Sequence, residues 1–205
     1  EVQDMLKLAT ASLGMNVEAF FQTGSSAEGG AEDALTYVAN GIAYELLKEL
    51  YPEIDERPQA VSGIGVGEYN ALQAAGVITF EQGLKLVRSR DASSQAAAVF
   101  DALLPSMKPP RCEVYCDGYR VPPTSPPGVF AEVIKGQVVL PADGKGDTPN
   151  LFDHGVDQML RFGVQHFYEC GRGTSLRPYL ENIEYRKETP YQVVRPASFL
   201  TSVLL

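Results

Sequence analysis

Long apolar runs are missing from this 205-residue sequence, and basic residues are too few to form large clusters. No window of 18 apolar residues occurs, whereas a helix that crosses a membrane needs about 20. The sequence therefore predicts no transmembrane segment. Lysine and arginine number 17 against 26 aspartate and glutamate residues, which gives a net charge of −9. Because nucleic-acid phosphates are bound by clustered Lys and Arg, this charge excludes nucleic acid as an expected partner.

Cysteine is also scarce, and the three thiols form no recognisable pattern. An odd number argues against a disulfide framework. Cys112 and Cys116 are four positions apart, unlike the C-x-x-C of redox and zinc sites, and Cys170 is remote from both. We predict buried, reduced thiols, with no metal site and no cofactor.

What the sequence does contain is an alternation of helices and short apolar strands. Predicted helices cover residues 3–14, 35–50, 67–75, 79–104, 152–160 and 174–183, and predicted strands cover 59–62, 112–116 and 164–170. Such alternation favours an α/β architecture with a mainly parallel sheet flanked by helices. One domain is expected at this length, and we place it at residues 1–183.

Two regions depart from this alternation. Seven of the fourteen prolines lie in residues 105–127, which we interpret as a proline-rich connector rather than packed structure. Residues 184–205 are predicted to form an extended C-terminal tail.

The end of this tail is apolar, and no downstream residue of the sequence can cover it. The residues concerned are Phe199, Leu200, Val203, Leu204 and Leu205. Exposed apolar patches usually mark contacts, so these residues either fold back on their own domain or bind a partner protein.

The most informative motif is the glycine frame G-I-G-V-G at residues 63–67, between a predicted strand and a predicted helix. A Gly-x-nucleophile-x-Gly turn at such a junction exposes the catalytic serine of many α/β acyl-transfer enzymes. Here the nucleophile position is Gly65. A phosphate-binding interpretation is weaker, because the dinucleotide pattern G-x-G-x-x-G has a different spacing.

Several segments together resemble malonyl-CoA:acyl-carrier-protein transacylases, the acyltransferases of fatty-acid synthesis. The resemblance is carried by residues 63–72, 75–81, 85–90, 114–115, 137–139 and 152–173. It covers most of the chain in several pieces and implies the family's α/β fold. In that family the elbow reads Gly-His-Ser-x-Gly-Glu or Gly-Leu-Ser-x-Gly-Glu, and the serine is acylated by malonyl-CoA.

The resemblance implies four vestigial active-site positions. Gly65 replaces the nucleophilic serine, while the backbone N–H of Val66 matches the amide that helps to bind the oxyanion. Arg90 matches the arginine that pairs with the malonyl carboxylate, a bidentate task that lysine does poorly. Gln137 matches a glutamine that supports the active site.

The family's catalytic base is also missing from the expected place. It lies in a small ferredoxin-like subdomain, for which only residues 91–111 remain here. Such a subdomain needs about 60 residues at about 30 per βαβ unit, so we predict that it is deleted. The two histidines, His154 and His166, match positions that the family does not use chemically. Nothing in residues 1–30 matches the family's opening strand and Gly-Gln-Gly-Ser loop.

These observations lead to three expectations about function. The first is a catalytically inactive, transacylase-like structural subunit of a larger complex, in a photosynthetic or respiratory assembly. The second is a non-catalytic binder of acyl carrier protein or CoA thioesters, and the third is a divergent malonyl transferase. The resemblance is strongest to plastid-type enzymes, which implies a plastid location, with the mitochondrion as the alternative.

Overall fold

A computed structural model describes residues 1–23, 31–56, 58–90, 93–116, 118–130, 151–171, 176–181 and 191–194. The helices in chain order are α1 (Val2–Leu13), α2 (Val17–Thr23), α3 (Glu32–Leu50), α4 (Pro52–Glu56), α5 (Val66–Ala74), α6 (Phe80–Ser89), α7 (Ser93–Leu103), α8 (Phe152–Arg161) and α9 (Arg177–Glu181). A 3-10 turn at Leu104–Ser106 follows α7. The strands are β1 (Ala60–Ser62), β2 (Glu113–Cys116), β3 (Tyr119–Val121), β4 (Phe167–Cys170) and β5 (Tyr191–Val194).

The strands form two small sheets. In the first, β1 pairs in parallel with β2, placing Val61 opposite Val114, and β3 pairs antiparallel on the other side of β2. In the second, β4 pairs in parallel with β5, placing Phe167 opposite Tyr191. The structure thus confirms the predicted α/β architecture with a mainly parallel arrangement of strands.

Helices cover both faces of the three-stranded sheet. The side chains of Val114 and Cys116 belong to the main hydrophobic core, which also contains residues of α1, α3, α5 and α6. Tyr115, on the opposite face, packs against Met159 of α8 and Val164. Because successive strand residues point to opposite faces, β2 lies between an α3/α5 layer and an α8 layer.

The sequence signal at the start of α6 is confirmed. The Thr79 side chain accepts a hydrogen bond from the Gln82 N–H at 3.2 Å, and the Gln82 side chain accepts one from the Thr79 N–H at 2.8 Å. This reciprocal pair satisfies two N–H groups that a helix start would otherwise leave without partners.

The single helix predicted at residues 79–104 is wrong, because α6 ends at Ser89 and α7 begins at Ser93. The Ser89 hydroxyl donates to the Leu86 carbonyl at 2.7 Å, and the Arg90 N–H donates to the Val87 carbonyl at 3.1 Å. Serine side chains compete in this way with the helical hydrogen-bond pattern, which favours an end at this point.

The strand predicted at residues 112–116 is confirmed as β2, but the interpretation of the surrounding residues 105–127 as a connector rather than packed structure is wrong. β2 is the middle strand of its sheet, the region also supplies β3, and both Cys112 and Val121 are buried. Its prolines flank the strands, where no ladder hydrogen bond is lost. Pro110, for example, uses its carbonyl to accept from the Thr124 N–H at 3.0 Å.

Part of the predicted tail rejoins the domain. β5 lies within residues 184–205 and pairs along its whole length with β4, so the domain does not end at residue 183. The Y-Q-V-V sequence of this strand is rich in residues that favour β structure. The apolar residues at the end of the tail lie outside the described residues.

Candidate active site

The turn between β1 and α5 has the geometry that its glycine spacing predicts. Gly65 forms the exposed tip with φ 56° and ψ −117°. The Gly67 N–H donates to the Ile64 carbonyl at 2.9 Å, and the Glu68 N–H donates to the Gly65 carbonyl at 3.2 Å. The chain therefore reverses sharply from strand to helix with residue 65 at the apex. This is the strained strand-to-helix turn that presents a nucleophile in acyl-transfer enzymes.

The three glycines of this turn serve different purposes. A Cβ added at Gly63 would overlap the Gly67 carbonyl group and lie 2.5 Å from the Glu68 nitrogen, so this glycine permits a close approach of two backbone segments. A Cβ at Gly65 or at Gly67 would meet nothing within 4 Å. Space for a Cβ therefore exists at the tip, although the chain places none there.

No neighbouring hydroxyl replaces the missing nucleophile at this turn. Ser62, the nearest serine in the sequence, donates its hydroxyl proton to the Tyr115 carbonyl at 2.9 Å. It lies on β1, three residues before the tip. This hydrogen bond from the Ser62 hydroxyl links β1 to β2.

The start of α5 directly follows the tip of the turn. Val66 is the first residue of this helix, so its N–H is one of the first-turn groups that have no acceptor within the helix. The partial positive charge of a helix N-terminus favours an anion at this place. The Val66 amide, which the resemblance predicts to bind an oxyanion, therefore lies at this helix start, beside a tip that carries no side chain.

Arg90 lies at the end of α6, next to α5. Its guanidinium Nη1 donates to Asp33 of α3 at 3.0 Å, and its Cζ lies 6.0 Å from the centre of the Tyr69 ring. Burial raises the pKa of Tyr69 to about 12, and the positive charge of Arg90 acts against this shift. Tyr69 lies three residues after Val66 in α5, so the structure brings Arg90 close to the helix that starts at the elbow.

The partner of Arg90 is a residue that the sequence did not reveal. Asp33 lies 57 positions earlier in the chain, in the first turn of α3. An acidic residue in a first helical turn is normally explained by the helix dipole, so no local signal distinguished it. A carboxylate of this chain thus occupies one donor of the guanidinium that the resemblance assigns to a malonyl carboxylate.

Residues 91–111, the interval in which the resemblance leads us to expect a histidine base, contain no histidine in the sequence. Between α6 and β2, residues 93–112 contain α7 and one 3-10 turn, with no strand. His154 is exposed on α8 beside Gln158, with 2.7 Å between the two Nε2 atoms, and His166 is exposed before β4.

The remaining predicted site residues lie outside the described residues. They are Gln137, Phe199, Leu200, Val203, Leu204 and Leu205.

All three cysteines are free thiols. Cys112 and Cys116 are buried, as predicted, whereas Cys170 is half-buried. Burial raises the pKa of Cys112 to about 11 and that of Cys170 to about 12, so neither thiol is activated. Among the residues that the structure describes, no group of His, Cys, Asp and Glu side chains is arranged to hold a metal ion.

None of the helices formed by the described residues is long and apolar enough to cross a membrane.

No protein-family model matches the chain. Short sequence matches to curated proteins exist. The chain is 48% identical over 54 residues to the polyketide biosynthesis malonyl CoA-acyl carrier protein transacylase PksC of Bacillus subtilis (strain 168). It is 46% identical over 54 residues to the polyketide biosynthesis protein PksE of the same strain. These matches cover 26% of this chain, 18% of PksC and 7% of PksE.

The fold comparison covers nearly the whole chain. The acyl-carrier-protein S-malonyltransferase of Burkholderia pseudomallei 1710b superimposes with a TM-score of 0.73, covering 99% of this chain and 91% of that one at 17% identity. A malonyl-transacylase solved in complex with its type II polyketide acyl carrier protein gives 0.72 at 16% identity, covering 99% of this chain and 90% of that one.

Elbow, helices and sheet together define an acyltransferase fold of the α/β class. Within that class, the comparisons confirm the resemblance to malonyl-CoA:acyl-carrier-protein transacylases. The chain spans less than a fifth of the length of PksC and of PksE, so the matched segment is a small part of each curated relative.

Proposed function

We propose that this protein is a catalytically inactive, transacylase-like structural subunit of a larger protein complex. The observation that carries the proposal is the elbow, whose backbone has the form that presents a nucleophile and whose apex, Gly65, has no side chain. A hydrogen on Cα cannot attack a thioester. The predicted plastid location of the complex stays a prediction.

The size of the chemical loss supports this proposal. Removing the serine of a serine–histidine pair lowers turnover about a million-fold, which corresponds to about 8 kcal/mol of transition-state stabilisation. The losses are not additive, because serine and histidine act as one unit. Neither residue stands where the resemblance leads us to expect it, because residue 65 is glycine and residues 91–111 contain no histidine. The proposal therefore rests on two departures from the family's pattern and not on a single substitution.

Native purification tests the structural role directly. We expect this chain to elute at high mass with the same set of proteins at constant stoichiometry, through at least two separations based on different properties. Elution of the untagged chain from its native extract as a free, monodisperse monomer would contradict the proposal.

Binding of a CoA thioester or of acyl carrier protein without turnover is the second candidate. It is favoured by the position of Arg90, whose side chain is 34% exposed and lies close to the helix that begins at the elbow. A similar fold has been solved with an acyl carrier protein bound. A ligand carboxylate would have to displace Asp33 from the guanidinium or share it, which lowers the affinity compared with an unoccupied arginine.

Replacement of Arg90 separates this candidate from the first. If the site binds malonyl-CoA, calorimetry should give a dissociation constant that Arg90→Ala weakens at least about 10-fold, since a charge-assisted hydrogen bond contributes about 1.5–3 kcal/mol. Arg88→Ala is the matched control, because Arg88 lies in the same helix, is exposed and donates to the Ser12 hydroxyl at 3.0 Å. Equal affinities for the two variants, or no heat at millimolar ligand, would eliminate the binding function.

A further inference from the structure

Side chains from three helices meet beside the start of α5. The Arg90 guanidinium donates to the Asp33 carboxylate at 3.0 Å, and its Cζ lies 6.0 Å from the centre of the Tyr69 ring. Tyr69 follows Val66 by three residues, which is about 4.5 Å along the helix axis. These three side chains and that of Glu68, the residue before Tyr69, are here called the Arg90 cluster. The cluster therefore lies within about one helical turn of the elbow.

The Arg90 cluster carries one positive charge against two negative charges. Burial is the main cause of the raised pKa of Tyr69; the charge of Arg90 lowers this pKa, and the charges of Glu68 and Asp33 raise it. All three charges therefore act at the Tyr69 hydroxyl. Glu68 is buried, whereas the side chains of Asp33 and Arg90 are 48% and 34% exposed. An anion that approached this hydroxyl would meet more negative than positive charge.

The contact between Arg90 and Asp33 leaves most of the guanidinium's hydrogen-bonding capacity unused. Among the described residues, Arg90 donates one hydrogen bond, from Nη1 to Oδ2 of Asp33. Arg120, by contrast, donates from Nε and Nη2 to the two oxygens of Glu113, at 2.7 Å each. A guanidinium has five N–H donors and binds a carboxylate most strongly through two of them. Asp33 therefore neutralises the charge of Arg90 through a single bond that a competing carboxylate can replace.

We propose that Asp33 sets the acyl-group preference of the site at the start of α5, disfavouring acyl groups that carry a free carboxylate and leaving uncharged acyl groups unaffected. This preference rests on the second candidate function, the binding of a thioester without turnover. A ligand carboxylate must displace Asp33 from Arg90, and the displaced carboxylate then repels it. An uncharged acyl group meets neither cost. The ligand class that fits the Arg90 cluster is therefore a thioester of an uncharged acyl group.

The exposure of the pair limits the size of this preference. An ion pair between partly exposed side chains contributes a factor of up to about five to an equilibrium constant. Repulsion between two carboxylates in the same surroundings adds a factor of similar size. Removal of the Asp33 charge should therefore raise the affinity for a carboxylated acyl group about 5- to 25-fold.

Calorimetry with malonyl-CoA and acetyl-CoA tests the proposal. The two ligands share the CoA phosphates and the thioester, and only malonyl-CoA carries a carboxylate on the acyl group. We expect Asp33→Asn to bind malonyl-CoA at least about 5-fold more tightly than the parent chain does, and acetyl-CoA with unchanged affinity. Glu113→Gln is the matched control, because it removes the same charge from another arginine–carboxylate pair. It should change neither affinity.

Two further variants separate a specific effect of Asp33 from a general effect of charge or of folding. Asp33→Glu keeps the negative charge and should keep the parent affinity for both ligands. Arg90→Ala added to Asp33→Asn should remove the gain for malonyl-CoA, since the gain depends on the released guanidinium.

The outcomes distinguish this preference from the binding function itself. No gain for malonyl-CoA in Asp33→Asn, an equal gain for both ligands, or the same gain in Glu113→Gln would overturn the proposal, and binding of acetyl-CoA would still support the second candidate function. No heat from acetyl-CoA at millimolar concentration would overturn the assigned ligand class. If malonyl-CoA also gave no heat with the parent chain and with Asp33→Asn, the second candidate function would be eliminated together with the preference.

Discussion

Gly63→Ala is expected to lower the free energy of unfolding by at least about 3 kcal/mol, the largest effect of any single methyl group near the elbow. The added carbon would overlap the backbone of Gly67 and crowd the Glu68 nitrogen, and these atoms belong to the first turn of α5. Backbone cannot rotate away as a flexible side chain can. The helix start would have to move away from β1, which would disturb the packing of Val66 and Tyr69 in the core.

Chemical denaturation with a matched control tests this expectation. Gly67→Ala adds the same methyl group four residues later, at a position where a Cβ meets nothing within 4 Å and the backbone is helical. Alanine is favoured over glycine by about 1 kcal/mol in a helix interior, and less is expected in a first turn, so this variant should be as stable as the parent or more so. If Gly63→Ala unfolds at the same denaturant concentration as Gly67→Ala, the close approach described here does not exist in solution.

Gly65→Ser is expected to restore the family's nucleophile residue without restoring the reaction. The added Cβ has room, but φ 56° with ψ −117° lies outside the regions that side-chain-bearing residues prefer. Holding serine there costs about 1–3 kcal/mol, which lowers the melting temperature by several degrees in a chain of this size. Malonyl transfer should stay at background, because a serine without its base performs little better than no serine.

Gly67→Ser serves as the control for this second prediction. It introduces the same hydroxymethyl group into the same turn, also in open space, without a positive φ. The difference in melting temperature between the two serine variants should therefore measure the loss of stability caused by the positive φ at residue 65, apart from any effect of the hydroxymethyl group itself. Malonyl transfer by Gly65→Ser at rates typical of enzymes would show that the chain contains a catalytic base. The absence of the small subdomain would then no longer support inactivity.

Local patterns allowed much of this structure to be predicted. The elbow needs glycine at fixed spacing between a strand and a helix, and Gly63 and Gly65 are explained by contacts or angles within five residues. The capping box of Thr79 and Gln82 is equally local. Features whose cause lies within one turn of the chain can be inferred from the sequence alone, because neighbouring residues determine them.

The predictions that failed, and the Asp33–Arg90 contact that the sequence did not reveal, depended on distant partners. The proline content of residues 105–127 suggested a connector around one short predicted strand, but that strand, β2, pairs with β1, which lies about 50 positions earlier, and with β3. The return of β5 to β4 depends on a similar long-range pairing. The contact of Asp33 with Arg90 joins α3 to the end of α6. Periodicity and turn signals in the sequence do not indicate which distant segments pair, since each segment is also compatible with other partners.

Incubation of the purified protein with radiolabelled malonyl-CoA and acyl carrier protein tests whether the elbow is catalytically inactive. We expect no covalent malonyl adduct on the polypeptide and transfer to the carrier protein no faster than in buffer, because Gly65 offers no side-chain hydroxyl at the elbow. A stable malonyl ester on any residue of this chain, or transfer well above the buffer rate, would contradict it.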